Sequence, residues 1–328
     1  MRLPVLVYAF SLSAAPAEPL YPARVGDLFG LISPSGKMVT QPFAEFIGPF
    51  RHGLAAFRTH DKYGYLDAAG RVAIAPAWDF AADFSEGLAY VQAAGRTGYI
   101  DLAGKLAIPL GFFAATPFHE GMAFAANNKE RFALINRTGT AVTPYHFRDV
   151  SSFSGGVALV RLENHKLAFI DKAGKKAIEA EYDGGEPFSE GLAAVSKGKM
   201  WGFIDASGRI VVPMEHEYLL PYSEGLAAVL RDGKWGYLDT TGKMVIPPQF
   251  DSAFPFRGGL APVQNGGRWG YVDRTGKRVI AFEYEHARAF DGPLAAVKRA
   301  GVTMYVDRSG RIVWRPRAGS AKRPAGKP

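Results

Sequence analysis

The sequence predicts an all-β chain of tandem units, on three observations. The nine-residue stretch WGYLDTTGK from Trp235 to Lys243 returns as WGFIDASGR from Trp201, WGYVDRTGK from Trp269, YGYLDAAGR from Tyr63 and TGYIDLAGK from Thr97. The turn glycines Gly36, Gly70, Gly104, Gly139, Gly174, Gly208, Gly242, Gly276 and Gly310 follow one another at 34 or 35 residues. No window of useful length carries helical periodicity, so short strands separated by turn residues remain.

In chain order, residues 1–17 come first. One basic residue, an apolar stretch from Leu3 to Leu12 and the A-x-A spacing of Ala15 and Ala17 outline a secretory signal cleaved after Ala17. The competing reading makes VLVYAF a strand of a degenerate first repeat. Residues 18–314 form the repeat domain with no linker between units, nine in all.

The unit from Leu226 shows how each is built. Leu226 to Leu230 is a short apolar run, Arg231-Asp232-Gly233-Lys234 is a polar bend, and Trp235 to Asp239 pairs back as a hairpin. Asp239-Thr240-Thr241-Gly242 is a second turn, since Asp bonds nearby backbone amides and Gly accepts a positive φ. Lys243 to Ile246 then makes a third antiparallel strand, which Pro247-Pro248 is expected to end. A connection follows with a ring eight residues past the turn glycine (Trp78, Phe112, Phe147, Tyr182, His216, Phe250, Tyr284) and usually an acid after it (Glu45, Asp79, Asp183, Glu217, Asp251, Glu285). It closes on another aromatic before the FSEGLA landmark.

Within the repeated strand, alternation puts Trp235, Tyr237 and Asp239 on one face and Gly236 and Leu238 on the other. The fourth position is aliphatic in every unit and reads as the core position. The bare glycine at the second fits close approach of a ring or backbone; it becomes Ala133 and Ala168 in mid-array. Three-stranded units in this number predict an open superhelical array, with a closed propeller-like ring as the alternative.

The motif W-G-[YF]-[IL]-D-x-x-G-[KR], the FSEGLAAV segment and the period near 34 resemble the bacterial WG-containing β-repeat family, over about residues 20–314. The units around Phe132 and Leu167 depart from the motif but keep its spacing. The resemblance implies a β-rich repeat domain, often exported, with no general enzymatic activity and no established common ligand.

The signature residues are Trp201, Gly202, Asp205 and Gly208, then Trp235, Gly236, Asp239 and Gly242, then Trp269, Gly270, Asp273 and Gly276. Each recurs once per unit and so reads as scaffold: a packing ring, a bare glycine, a turn cap and a turn glycine. No catalytic, metal or cofactor residue is assigned and no cofactor is expected, since phosphate-loop and nucleophile-elbow motifs are absent. The acids after the connection rings read as solvated or amide-bonding carboxylates. The Glu215-His216-Glu217 and Glu283-Tyr284-Glu285-His286 clusters match no recognised zinc spacing, and His216 occupies a ring position.

Composition narrows the function classes. Absent cysteine removes disulfides and thiol chemistry. No apolar run reaches the ~20 residues a membrane helix needs. Of the net charge of +8, five charges lie on residues 315–328, which have no acid, leaving a repeat surface too near neutral for a phosphate-backbone binder. That tail reads as disordered and solubilising. The expectation is therefore a non-catalytic scaffold engaging a protein partner, in the periplasm or secreted, or in the cytoplasm if the N-terminus is no signal. The alternative is binding of cell-envelope glycan such as peptidoglycan through aromatic rows, which requires Tyr237, Tyr271 and their equivalents to be exposed.

Overall fold

The computed structural model describes residues 18–127, 131–179 and 181–316, so the proposed signal and nearly all of the basic tail lie outside the described residues. Nine small antiparallel sheets follow one another, with no helix among the described residues.

Unit seven (218–250) illustrates their construction. Leu226–Arg231 bends through Asp232 and Gly233, both left-handed (φ 51° and 71°), into Lys234–Asp239, with Leu226 opposite Asp239. Positive φ at both central residues matches the twist of the flanking strands. Asp239 then folds its own turn: its Oδ1 accepts the amides of Thr241 at 2.9 Å and Lys243 at 3.0 Å, while the Gly242 amide donates to the Asp239 carbonyl at 2.9 Å.

Two details differ from the sequence reading, and a third adds to it. First, Pro247-Pro248 does not end the third strand, which runs from Met244 to Phe250. Trp235 pairs with Phe250 and Tyr237 with Ile246, so a step of two residues faces a step of four. This bulge takes the proline nitrogens out of the ladder. It also presses backbone onto Gly236, where a Cβ would lie 2.4 Å from the Ile246 carbonyl oxygen. The bare glycine therefore serves a backbone approach. In units four and five, which carry Ala133 and Ala168, the third strand is reduced to isolated bridges such as Phe132 to Phe147 and Leu167 to Tyr182.

Second, the complete units have four strands. Tyr218–Leu219 lies along Leu226–Arg231 with Leu219 opposite Val229, and units two, three and six to nine share that order. Asp251 alone separates Phe250 of unit seven from Ser252–Ala253 of unit eight. Two residues between a ring and an acid are too short a run for alternation to declare a strand.

Third, the two ends of the array meet. Each core cluster spans two successive units; between eight and nine, Leu260, Tyr271 and Ile280 pack against Ala295, Val297 and Val306. Between nine and one the corresponding positions, Leu294, Tyr305 and Trp314, pack against Tyr21, Ala23 and Ile32. The Tyr305 hydroxyl donates to the Pro22 carbonyl and the Tyr21 hydroxyl to the Asp291 carbonyl, both at 2.8 Å. Residues of the first and last units thus bury apolar surface against one another as successive units do.

Candidate functional site

The repeated chemistry is consumed inside the scaffold. Trp235 is half-buried and Trp269 buried, and both pack against neighbouring rings: Tyr218 stands 6.2 Å from Trp235, and Phe254 stacks 5.1 Å from Trp269. Trp201 meets Tyr218 of the next unit edge-on at 4.8 Å. Gly202 and Gly270 repeat the backbone approach of Gly236, with a Cβ falling 2.5 and 2.6 Å from the carbonyl oxygens of Val212 and Ile280.

Asp205 and Asp273 cap their turns as Asp239 does, each accepting two amides. These bonds, led by the hydroxyls of Ser207, Thr241 and Thr275, hold all three carboxyls below the ordinary range, Asp205 at about 2. Gly208, Gly242 and Gly276 combine φ near 83–86° with contact against the preceding unit, where a Cβ would lie 2.7 Å from Ile178, 3.0 Å from Val212 and 2.9 Å from Ile246. The turn glycine is thus also an inter-unit contact.

Alternation exposes only one face of a lone sheet, but here each sheet lies between two others. Tyr237 and Leu238 are accordingly both buried, as are Tyr271 and Val272. The tyrosine hydroxyls reach the next unit, Tyr237 to the Phe254 carbonyl at 2.8 Å and Tyr271 to the Arg288 carbonyl at 2.7 Å.

The acids after the connection rings also join units. Asp251 accepts Lys234 of unit seven at 2.6 Å and the Gly267 amide of unit eight at 3.2 Å. A further ladder escaped the sequence reading. Glu190 accepts the amides of Glu224 and Gly225 at 2.7 and 2.8 Å, Glu224 accepts those of Gly258 and Gly259, and Glu86 holds those of Glu120 and Gly121. Its signal was available as the Glu before the landmark glycine of FSEGLA.

The histidine clusters do not assemble. His216 is buried while Glu215 and Glu217 are exposed, and Glu283 and Glu285 are engaged by Arg299 and the Gly301 amide. Among the described residues no group of three or more His, Asp or Glu side chains is placed to hold a metal. Among the described residues the His216 Nδ1 has no hydrogen-bond partner, and burial holds its pKa below the usual imidazole value.

An aromatic chain on units two and three also reaches the surface. Ring centroids run from Phe46 to Tyr63 at 6.2 Å, to Phe80 at 5.6 Å and to Tyr90 at 5.7 Å. Phe46 and Phe80 are 41% and 36% exposed, at the position that unit seven fills with Tyr218 and other units with Ala114, Gly184, Ser252 or His286. No described helix is long and apolar enough to cross a membrane.

Fold and surface together define a tandem β-repeat scaffold. The chain belongs to the WG containing repeat family, whose repeat matches eight times: 29–63, 63–95, 98–130, 132–164, 168–201, 201–235, 235–269 and 269–301. Among solved structures it is similar to a eukaryotic initiation factor (10% identity, 91% of this chain and 96% of that one, TM-score 0.63). It is also similar to the computationally designed Ika8 protein (11% identity, 81% and 94%, TM-score 0.50). At such identities the likeness is one of fold. Among curated proteins no sequence matches this chain.

Proposed function

We propose that this chain is a non-catalytic interaction scaffold that docks a protein partner on units two and three, and that it acts after export. The observation that carries this reading is the exposed pair Phe46 and Phe80, joined through Tyr63 and Tyr90 into one apolar surface. Contiguous exposed rings are unusual on a surface without a partner, and aromatic anchors dominate protein interfaces. The signature residues are committed to turns and inter-unit packing, so partner choice falls to positions where units differ.

The glycan alternative required Tyr237, Tyr271 and their equivalents to lie open in a row. They are buried, which removes the observation that favoured it.

The experiment compares tagged wild-type protein with a Phe46→Ser/Phe80→Ser variant that melts at the same temperature. A protein captured by the wild type and lost by the variant supports the reading. Equal capture by both counts against it. Binding to isolated peptidoglycan that disappears in the variant would transfer the surface to glycan.

A further inference from the structure

Lys243 and Val245 follow the turn glycine of unit seven by one and three residues. Alternation puts them on the same face of the third strand, opposite the buried Ile246. The same order of cation, any residue and valine stands in units six, eight, nine and one: Arg209 and Val211, Lys277 and Val279, Arg311 and Val313, Lys37 and Val39. Units two, three and five carry Ala73, Ala107 and Ala177 at the valine position, and unit four has Thr140 at the cation position. Because unit nine packs against unit one, the five units that carry the pattern are consecutive in space.

Contacts between turns and third strands join these residues into one strip. Gly242 sits against Val212, Gly276 against Ile246 and Gly310 against Ile280, each the residue after a patterned valine, and Gly36 sits against Val313 itself. The cation that follows each glycine is thereby held close to the valine of the preceding unit. Val39, Val245 and Val279 are 47%, 40% and 41% exposed, and all five cations are exposed. The strand itself does not demand valine there, since threonine has the same branched shape and β preference without the apolar surface.

We propose that this strip, from unit six through unit nine to unit one, docks on an anionic lipid surface, its cations meeting the headgroups and its valines entering the boundary beneath them. Charge favours this occupant. Residues 251–316 hold 11 Lys and Arg against 6 Asp and Glu, whereas residues 51–250 hold 21 against 22. Arg209 and Arg311 pair with their own turn acids, but unit one has Ser33 in place of that acid, and unit eight adds Arg278 beside Lys277. Arg274 and Arg308 donate to the backbone carbonyls of Glu224 and Gly258, while their counterparts in units four and five, Arg137 and Lys172, meet the carboxylates of Glu86 and Glu120. Repetition favours it too. A protein partner is selected by side chains that differ between units, as Phe46 and Phe80 do. A bilayer presents one charged layer over one apolar boundary at every point, and its match is one cation and one aliphatic side chain repeated. The strip is separate from the aromatic surface of units two and three and does not depend on it.

Co-sedimentation of the full chain with vesicles tests this, comparing phosphatidylcholine alone with a mixture containing about one-third phosphatidylglycerol. The expected result is binding to the anionic vesicles only. Lys277→Ser/Arg278→Ser should weaken it about twentyfold, since each Lys or Arg near an anionic surface contributes about a factor of five. Val245→Thr/Val279→Thr, which keeps the strand's branched side chains, should weaken it about fivefold. The charge-matched Lys199→Ser/Arg268→Ser variant, altered at the hairpin end of the sheets, should bind within about twofold of the wild type, each variant first being shown to melt with it. Failure to bind anionic vesicles overturns the proposal. So does binding that the strip variants leave unchanged, that the hairpin-end variant loses equally, or that is lost only on deleting 317–328. Preference for polyglutamate over vesicles, abolished in the strip variants, would transfer the strip to an acidic protein and likewise overturns it.

Discussion

Tyr21 and Tyr305, near opposite ends of the chain, stand with ring centroids 5.7 Å apart, and each hydroxyl bonds a backbone carbonyl of the other's unit. The pair joins the two ends of the array, so the closing junction has the chemistry of every other junction.

Tyr21→Ala should therefore loosen the contact between the first and last units as well as unit one itself. Truncating a buried ring of this size costs about 3–5 kcal/mol. Solution scattering of the wild type should give a radius of gyration of about 20 Å, the value for a compact chain of this length. The variant should melt earlier and give a larger radius; an elongated wild-type particle would contradict the contact between the first and last units.

Gly236→Ala should cost more than an ordinary glycine replacement, because the new Cβ meets the bulged backbone of Ile246 and Pro248. Overpacking of this kind costs about 1–3 kcal/mol. Gly233→Ala, whose Cβ meets nothing within 4 Å, isolates the strain of its φ of 71°. Urea denaturation of the two variants separates steric from conformational cost.

His216 makes stability fall with mild acid. Its folded pKa lies below the unfolded value because burial disfavours the imidazolium, Arg231 acting in the same direction and Glu215 against it. The neutral ring's contribution is complete above the unfolded pKa of about 6.5 and is lost as pH falls below it toward the folded value. The melting temperature measured from pH 7.5 to 5 should decline in the wild type, and His216→Phe should flatten that decline.

The turn carboxyls act at lower pH. Asp205, Asp239 and Asp273 are depressed by hydrogen bonds from turn hydroxyls and amides, so their stabilisation is present above their unfolded pKa near 3.8 and fades as pH falls through the depressed values. Asp239→Asn should preserve the turn at pH 7, because Asn136 already accepts the amides of Thr138 and Thr140 in unit four. Asp239→Ala should cost about 1 kcal/mol in urea denaturation, the net worth of the lost bonds.

Export predicts a mature chain beginning at Glu18. Mass spectrometry of the protein expressed with its full N-terminus in a Gram-negative host checks this; an intact Met1 in a cytoplasmic fraction would contradict it.

Much of the scaffold was legible because its demands are local. Asp239, Gly242 and the hairpin at Asp232-Gly233 act within a few residues, so each left a mark at fixed spacing. The two-residue strand Tyr218–Leu219 and the run through Pro247-Pro248 were not legible, since both depend on a partner strand that offers its edge or a bulge that releases a nitrogen. The exposed rings Phe46 and Phe80 were visible as letters, but aromatic identity does not distinguish a buried ring from an open one.

By itself, the sequence determined the period, the turns, the aliphatic core position and the bare glycine, because these are backbone requirements repeated in every unit. Only the tertiary structure decided that both faces of each sheet are buried, that Tyr237 is core while Phe46 is surface, and that Tyr21 meets Tyr305. Those outcomes depend on which unit lies beside which, and the burial of apolar surface between neighbours is a property of the assembled array rather than of any one repeat.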